Sequence, residues 1–438
     1  MLHFRYNTFS KGQTMKTVND YPGKSDIEKI EAAIKDGQGG VVVIPPRKCD
    51  SEPERDYWII DRAILIPENT TVLLKNCKIK LSDKCRDNFF RTSNCGIGIE
   101  YPEKIKNVHI IGEGFCVLEG ADHPRATGDG SKELACPCPK NEADALRLSE
   151  QNPDKYSYYF LDKHSRSYGT DAGDPNESQY GDWRNVGILF ANAENCSVKN
   201  LHIKNPHGWA ISFEACSNGM IENIDFDADM SRYIDGMVQN SENQDGIDIR
   251  NGCHDIIIQN ITGGTGDDVI ALTAIAGRNY LPGGSMSTTH VMHSDWTKRE
   301  KDIHDIIIRN VIARCKSGEC NILRMLPAEA KIYNIVVDGI IDNSPEGFCN
   351  RAAVLLGEPD GNYGRNLPDD LYGIAVSNII SKSVYCIVVA GYISDSSFTN
   401  IVNLNPECPV FMVERENGFR NIELSSVVTK GKETVKYK

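Results

Sequence analysis

Two short acidic motifs stand a fixed distance apart in the middle of the chain. The motif NQDG, residues 243–246, and the motif GDD, residues 266–268, each run directly into an apolar segment, and Asp245 and Asp267 lie 22 residues apart. If both motifs precede strands in successive turns of one repeating structure, their carboxylates lie close together, and like charges then raise at least one pKa. A protonated carboxyl beside ionised ones can cleave a glycosidic bond, because one group protonates the leaving oxygen while another activates water.

A purely structural role for these aspartates is the competing interpretation. Asp-Gly and Gly-Asp-Asp are frequent in turns, where an Asp side chain accepts hydrogen bonds from backbone N–H groups. The shared position before strands of one type, at a repeating interval, favours the functional interpretation. Successive residues of a regular strand point to opposite faces, so Asp267 and Asp268 share a cleft only if the chain bends there.

The elements that would position these residues repeat along the chain. Eight β-branched, alternating segments surround an Asn or Asp anchor, and the shortest intervals between anchors are 21, 22, 23 and 28 residues. Such a period, with insertions confined to certain turns, is typical of a solenoid. A second family of apolar segments, such as GIDIRNG and DVIALTA, alternates with the first. The anchors are Asn200, Asn223, Asn260, Asn310, Asp338, Asn378, Asn400 and Asn421.

This pattern predicts an all-β, right-handed parallel β-helix that forms a single domain over residues 1–438. An N-terminal cap region, 20–66, contains one amphipathic helix, with Ser25 and Glu28 as a capping box and Gly37 as its stop. Such a helix would cover the open end of the first coil. Two polar stretches, 121–185 and 275–303, do not fit the repeat, and we expect them to be long ordered insertions near the cleft.

Bulk composition excludes several classes of protein. The net charge of −13 argues against nucleic acid or an anionic membrane as a partner, and no apolar run is long enough to span a bilayer. The N-terminus carries no recognisable secretion signal, which predicts a cytoplasmic protein, or a secreted one if a leader has been removed. The 15 cysteines form no disulfide or zinc pattern, so we expect no metal and no cofactor. The role of Cys136 and Cys138 and the oligomeric state stay open.

The acidic motifs resemble those of a known family. NQDGIDI and GDDVIAL look like the N-x-D-G and G-D-D motifs of polygalacturonase-type glycoside hydrolases, which are family 28 enzymes of the pectin-degrading β-helix superfamily. Residues 25–46 are similar to the superfamily's N-terminal cap, and residues 205–226 to its Asn-x-Pro…Trp coil. The resemblance implies hydrolysis of a pectin-like oligo- or polysaccharide with inversion. It also implies that Asp267 is the general acid and that Asp245 and Asp268 hold the attacking water.

The chain departs from the family pattern after the second motif. The family's Gly-His-Gly coil is missing, and the insertion in its place offers His290 and His293 as substrate contacts. Arg324 matches the arginine of the family's Arg-Ile-Lys strand, but Leu326 stands at the lysine position. In the family, the arginine and lysine of that strand bind a carboxylate of the substrate. The sugar is therefore a galacturonide or a related unit, neutral or differently charged.

Three further residues are candidates for substrate binding. Arg250 shares the face of Asp248 if side chains alternate as usual, and Trp209 either stacks on a sugar ring or lies in the core. Arg278, Arg351 and Glu358 lie near strand ends, where surface exposure is the default expectation.

Two other functions remain open from the sequence. A polysaccharide lyase or epimerase on the same scaffold would use calcium and a basic residue, although no calcium-loop pattern occurs. A non-catalytic carbohydrate-binding solenoid would leave glycans unchanged. If the protein is a hydrolase, the two insertions predict exo-action on short chains, because they would close one end of the cleft.

Overall fold

The chain folds as stacked coils of parallel strands. The computed structural model describes residues 15–49, 51–83, 85, 87–96, 99, 101–122, 182–234, 237–240, 243–275, 299–345, 350–359, 364–431 and 433–438. The predicted insertions 121–185 and 275–303 lie almost entirely outside these residues, and so do His290, His293, Arg278 and the Cys136–Cys138 pair.

The described residues contain one α-helix, α1 (Asp26–Asp36), and three short 3-10 helices, Val18–Asp20, Asp182–Asn185 and Arg299–Lys301. The rest of the regular structure is strand. In chain order the strands are β1 Met15–Thr17, β2 Val41–Ile44, β3 Trp58–Ile60, β4 Ile64–Ile66, β5 Thr71–Lys75, β6 Lys78–Leu81, β7 Phe90–Thr92, β8 Ile105–Glu113, β9 Val117–Glu119, β10 Ile188–Ala191, β11 Ala193–Lys204, β12 Ile211–Glu214, β13 Ser217–Asp227, β14 Ser231–Ile234, β15 Met237–Asn240, β16 Ile247–Arg250, β17 His254–Thr265, β18 Ile270–Ile275, β19 Ile303–Cys315, β20 Asn321–Ala328, β21 Ile332–Asp342, β22 Ala352–Leu356, β23 Leu371–Ser381, β24 Tyr385–Val389, β25 Ile393–Asn403, β26 Phe411–Val413, β27 Phe419–Thr429 and β28 Val435–Tyr437.

Two parallel sheets run along the stack. The first segment family forms strands of a 15-stranded sheet whose main order is β1-β2-β5-β8-β11-β13-β17-β19-β21-β23-β25-β27. The second family forms the 11-stranded sheet, in the order β28-β26-β24-β22-β20-β18-β16-β12-β10-β7-β4. β14 and β15 pair separately as an antiparallel hairpin. Because each coil adds one strand to each large sheet, the predicted parallel β-helix is confirmed.

The core is built from rows of matching side chains between the sheets. Ile211, Ile247 and Ile270 pair in register across three strands of the 11-stranded sheet, and each is fully buried. Phe190 and Phe213 stack with ring centroids 5.1 Å apart. Alternate residues of the same strands face away from this core, because the strand period is two. The outward positions of the 11-stranded sheet carry the candidate site.

Asparagine anchors mark the bends of the 15-stranded sheet. Asn200, Asn223, Asn260 and Asn310 adopt left-handed backbone conformations, with φ between 55° and 58°. Each amide bonds the one below: Asn223 donates to Asn200 over 2.8 Å, Asn260 to Asn223 over 2.8 Å, and Asn310 to Asn260 over 3.0 Å. We call these four residues the amide ladder. Asparagine suits it because the residue tolerates a positive φ and offers both a donor and an acceptor.

Two of the predicted anchors, Asp338 and Asn421, are wrong, because another residue of the same strand occupies the anchor position. Asp338 pairs with Arg309, so the next residue, Gly339, with φ 88°, occupies the anchor position of its coil. In the last coil Ser426, with φ 51°, takes that position instead of Asn421. Glycine at position 339 meets the need for a positive φ without an amide.

The predicted N-terminal helix is confirmed. Ser25 accepts a hydrogen bond from the Glu28 backbone and Glu28 accepts one from Ser25, so the capping box is complete. The helix ends at Asp36 with Gly37 as its C-cap, and its buried face, which includes Ile27 and Ile30, belongs to the main core. No helix in the described part of the chain is long and apolar enough to cross a membrane.

Candidate active site

The starts of two adjacent strands position the acidic motifs. β16 and β18 pair in parallel with Ile247 opposite Ile270, and the Gly246 N–H donates to the Asp268 carbonyl over 2.9 Å. Asp245 is therefore level with Asp268. The predicted stacking of Asp245 with Asp267 is wrong by one residue, because this coil contains 23 residues instead of 22. Asp267 lies beside the stacked pair, level with Gln244.

The chain bends between β17 and β18, as the sharing of one cleft by Asp267 and Asp268 requires. Asp267 Oδ1 accepts a hydrogen bond from the Asp268 N–H over 2.8 Å, and Thr265 Oγ1 donates to the Asp267 carbonyl over 2.6 Å. The backbone N–H groups of Gly266 and Asp267 donate to the Gln244 carbonyl over 3.0 and 3.2 Å. This turn leaves Asp267 half-buried and Asp268 buried.

Glycine in the first motif lets the coils approach closely. A Cβ atom added to Gly246 would lie 2.4 Å from the Val269 carbonyl oxygen and 2.9 Å from a ring carbon of Phe226. Backbone and an aromatic ring therefore fill the space that a side chain would need. The Asp-Gly pair thus brings the Asp245 backbone against the neighbouring coil.

Asn321 fixes the Asp268 carboxylate from the next coil. Its backbone N–H and its side-chain Nδ2 donate to Asp268 Oδ1 over 2.7 and 2.8 Å. Asn321 is the first residue of β20, stands level with Asp268, and is 3% exposed. Sequence inspection missed it. The available signal is its position two residues before Leu323, which matches the position of Asp268 two residues before Ile270.

Arg324 lies on the same face and contacts two carboxylates. Its Nη1 is 3.6 Å from Asp268 Oδ2, and its Nη2 is 2.7 Å from Glu358 Oε2. Arg324 pairs in register with Ala271, which pairs with Asp248, so a small residue separates the two charged ones. The expectation that Glu358 lies on the surface is wrong, because its side chain is only 16% exposed and binds Arg324.

Asp248 and Arg250 share the outward face of β16, as expected from alternation. Asp248 is 1% exposed, and its Oδ2 has no hydrogen-bond partner among the described residues. Arg250 is fully buried, lies 3.7 Å from Glu214, and places its guanidinium 4.7 Å from the ring centre of Trp209. Trp209 is 8% exposed and belongs to a small apolar cluster. Arg250 thus covers a ring face that a sugar would need for stacking.

Burial and mutual repulsion change the acidity of the site. Burial, followed by the charge of Asp267, raises the pKa of Asp245 well above its usual range. Burial also raises the pKa of Asp248 strongly, although Arg250 opposes this. For Asp268, burial and then the charge of Asp267 raise the pKa to about 6, against the lowering effects of Arg324 and Asn321. The cluster therefore retains protons at a pH at which an exposed aspartate is ionised.

Within the part of the chain that the structure describes, one set of side chains could hold a metal ion. Carboxylate oxygens of Asp267 and Asp268 and the sulfur of Cys320 all lie within 4.8 Å of one another. Two hard oxygens and one soft sulfur match neither calcium, which takes six to eight oxygens, nor the all-sulfur and nitrogen sets typical of structural zinc. The set contains the same carboxylates that the predicted hydrolysis uses.

Part of the chain matches the model of a known protein family. The model of the family described as glycosyl hydrolases family 28 matches residues 164–311. The matched segment is about a third of the 438-residue chain and contains both acidic motifs.

Solved structures share the fold across almost the whole chain. Polygalacturonase from Erwinia carotovora is 13% identical, with a TM-score of 0.54 and coverage of 96% of both chains. Endo-xylogalacturonan hydrolase from Aspergillus tubingensis is 14% identical, with a TM-score of 0.52 and coverage of 96% of this chain and 95% of its own. Exopolygalacturonase from Thermotoga maritima is 15% identical, with a TM-score of 0.51 and coverage of 95% and 91%. No protein of curated function matches the sequence.

Proposed function

We propose that this protein hydrolyses O-glycosidic bonds in pectin-type oligo- or polysaccharides, with inversion at the anomeric carbon. The observation that carries the proposal is the stacking of Asp245 on Asp268 with Asp267 at their side, at the start of two paired strands. Inverting glycosidases place two carboxyls on opposite sides of the bond that breaks, one to protonate the leaving oxygen and one to activate water.

Exposure separates the roles of the three aspartates. Asp267 is half-buried, whereas Asp245 and Asp268 are 7% and 1% exposed. A glycosidic oxygen therefore reaches Asp267 first, and we assign the proton donation to it. Asp245 and Asp268 hold the attacking water, and the Asn321 donors keep Asp268 in place for this task. The family resemblance gives the same roles.

The substrate range and the cellular setting also belong to the proposal. The protein acts on short chains from their ends, and it meets them in the cytoplasm as imported oligosaccharides. Exo-action requires one end of the cleft to be closed, which is the task we assign to the insertions 121–185 and 275–303. Smooth accumulation of mid-length products from a long pectin chain would contradict exo-action without touching the chemistry.

The first test compares wild type with Asp267→Asn on a panel of pectin-derived oligosaccharides. It follows new reducing ends together with the ultraviolet absorbance of unsaturated uronates, and proton NMR identifies the first anomer released. The proposal predicts reducing ends of inverted configuration, no such absorbance, and loss of activity in the variant. Absorbance that rises with cleavage would indicate a lyase, and an unaffected variant would remove Asp267 from the mechanism.

A further inference from the structure

The charge of Arg324 is already matched by two carboxylates of this chain. Its guanidinium lies between Asp268, 3.6 Å away, and Glu358, 2.7 Å away. Both acidic side chains are shielded from water, with exposures of 2% and 16%. A guanidinium attracts a substrate carboxylate strongly when its N–H fork is free to bind both oxygens. The short contact with Glu358 occupies part of that fork.

The position two residues further along β20 provides no second cation. Leu326 pairs in register with Thr273 and is 1% exposed. It packs against Ile275 and Ala328 in a small apolar cluster. This position of β20 therefore adds no positive charge that a substrate carboxylate could bind.

Carboxyls outnumber cations on the described part of this face. Arg324 stands against five acidic groups, while Arg250 is fully buried beside Glu214 at 3.7 Å. A uronate placed here would add another negative charge to a poorly solvated cluster, and like charges brought together at a binding site disfavour the complex strongly. The five acidic groups are Asp245, Asp248, Asp267, Asp268 and Glu358.

We infer that Glu358 is a specificity-determining residue that neutralises Arg324, so that the site accepts a neutral sugar next to the scissile bond and disfavours a uronate. The inference rests on the proposed hydrolase function and names the charge class of its substrate. A neutral hexose or deoxyhexose unit leaves the Arg324–Glu358 pair intact. A uronate would have to compete with Glu358 for the guanidinium while approaching four further carboxyls.

The test uses two matched substrate mixtures that differ only in carboxylate charge. One is a mixture of pectin oligosaccharides whose reducing ends have been converted to alditols. The other is the same mixture after its uronates have been reduced to the corresponding neutral sugars. Initial rates of new reducing-end formation at low substrate concentration give kcat/KM for each. Wild type should cleave the neutral mixture with a kcat/KM at least about tenfold higher, because a uronate carboxylate would find no free cation to pair with at this site.

The variant Glu358→Gln removes the charge that neutralises Arg324 and preserves the shape of the side chain. It should lower the preference for the neutral mixture by about tenfold, mainly through a lower KM for uronides. A merely structural role would reduce both rates alike and leave their ratio unchanged. The matched control is Glu113→Gln, which pairs with Lys75 at 2.9 Å on the 15-stranded sheet and should leave both rates unchanged.

The possible outcomes separate the inference from the function beneath it. Faster cleavage of the uronide mixture by wild type, or an unchanged ratio in Glu358→Gln, would overturn the inference and leave the hydrolase intact. Cleavage of neither mixture would overturn the proposed function and the inference together.

Discussion

The amide ladder and the aspartate cluster stack polar residues in the same way, with opposite energetic results. In the ladder each Asn donates to the Asn of the coil below, over 2.8 to 3.0 Å, so every rung adds a hydrogen bond. In the cluster Asp245 stands level with Asp268, and two carboxylates cannot donate to each other unless one is protonated.

The difference lies in chemistry, since the coil geometry is shared. Amides are both donors and acceptors, so stacking at coil spacing stabilises them. Ionised carboxylates only accept, so the cluster gains no such bond, and burial followed by the charge of Asp267 raises the pKa of Asp245 and Asp268. The 15-stranded sheet therefore uses the repeat for stability. The 11-stranded sheet accepts a destabilising cluster, as functional sites commonly do.

Exchanging carboxylate for amide should have its largest effect on catalysis. Asp245→Asn and Asp268→Asn should each lower kcat/KM by about 10²- to 10⁴-fold, because each removes a carboxylate that we propose to hold the attacking water. Steady-state assays on the best pectin-derived substrate measure this. The control is the reverse exchange on the ladder, Asn260→Asp, which should stay within about twofold of wild type. Equal losses in both regions would mean that the cluster has no special part in the reaction.

Exchanging the carboxylate of Asp248 for an amide should stabilise the fold. Asp248 is 1% exposed, has an unpaired Oδ2 in the described structure, and has a strongly raised pKa. Asp248→Asn should therefore increase the free energy of unfolding at pH 7 by about 1–3 kcal/mol, measured by urea denaturation. Asp61→Asn, which removes a carboxylate that is 52% exposed, should change it by less than about 0.5 kcal/mol. A destabilised Asp248→Asn would mean that the buried carboxylate has a favourable partner.

Placing a carboxylate in the amide ladder should have the smallest effect. It should lower the free energy of unfolding, whereas Asp248→Asn should raise it. In Asn260→Asp the new side chain cannot donate to Asn223 Oδ1, which lies 2.8 Å from the present amide nitrogen. The loss should be about 1 kcal/mol of unfolding free energy. Asn417→Asp is the matched control, because Asn417 has the same left-handed backbone, with φ 55°, and lies outside the ladder. If both variants lose equal stability, the backbone conformation and not the amide bond explains the result.

The sequence predicted the fold because the repeat appears in the residues themselves. Alternating β-branched segments and asparagines at positive-φ bends identify the coils from local sequence alone, so no contact between distant residues has to be known. Register was harder to predict. The coil that carries both acidic motifs is one residue longer than expected, which shifted the partner of Asp245 from Asp267 to Asp268, and glycine can replace the anchor, as it does at position 339.

The less local parts of the site could not be predicted in this way. Asn321 reaches Asp268 from a strand that follows the insertion 275–303, so sequence distance hides their contact. Glu358 lies one coil further still, and nothing in its local sequence indicates that it will bind Arg324. Such contacts depend on which strands become neighbours, and the irregular turns between coils conceal that order.

The most direct test of the account is the pH dependence of the free energy of unfolding of wild type and Asp268→Asn. Because folded Asp268, with a pKa of about 6, binds its proton more tightly than the unfolded chain, wild type should lose stability as the pH rises from about 4 to about 6. The variant lacks this contribution. It should match wild type near pH 4 and exceed it by roughly 3 kcal/mol at pH 7. A difference that stays constant with pH, or a variant less stable than wild type at pH 7, would contradict the claim that burial and the neighbouring Asp267 raise the pKa of Asp268 in the folded protein.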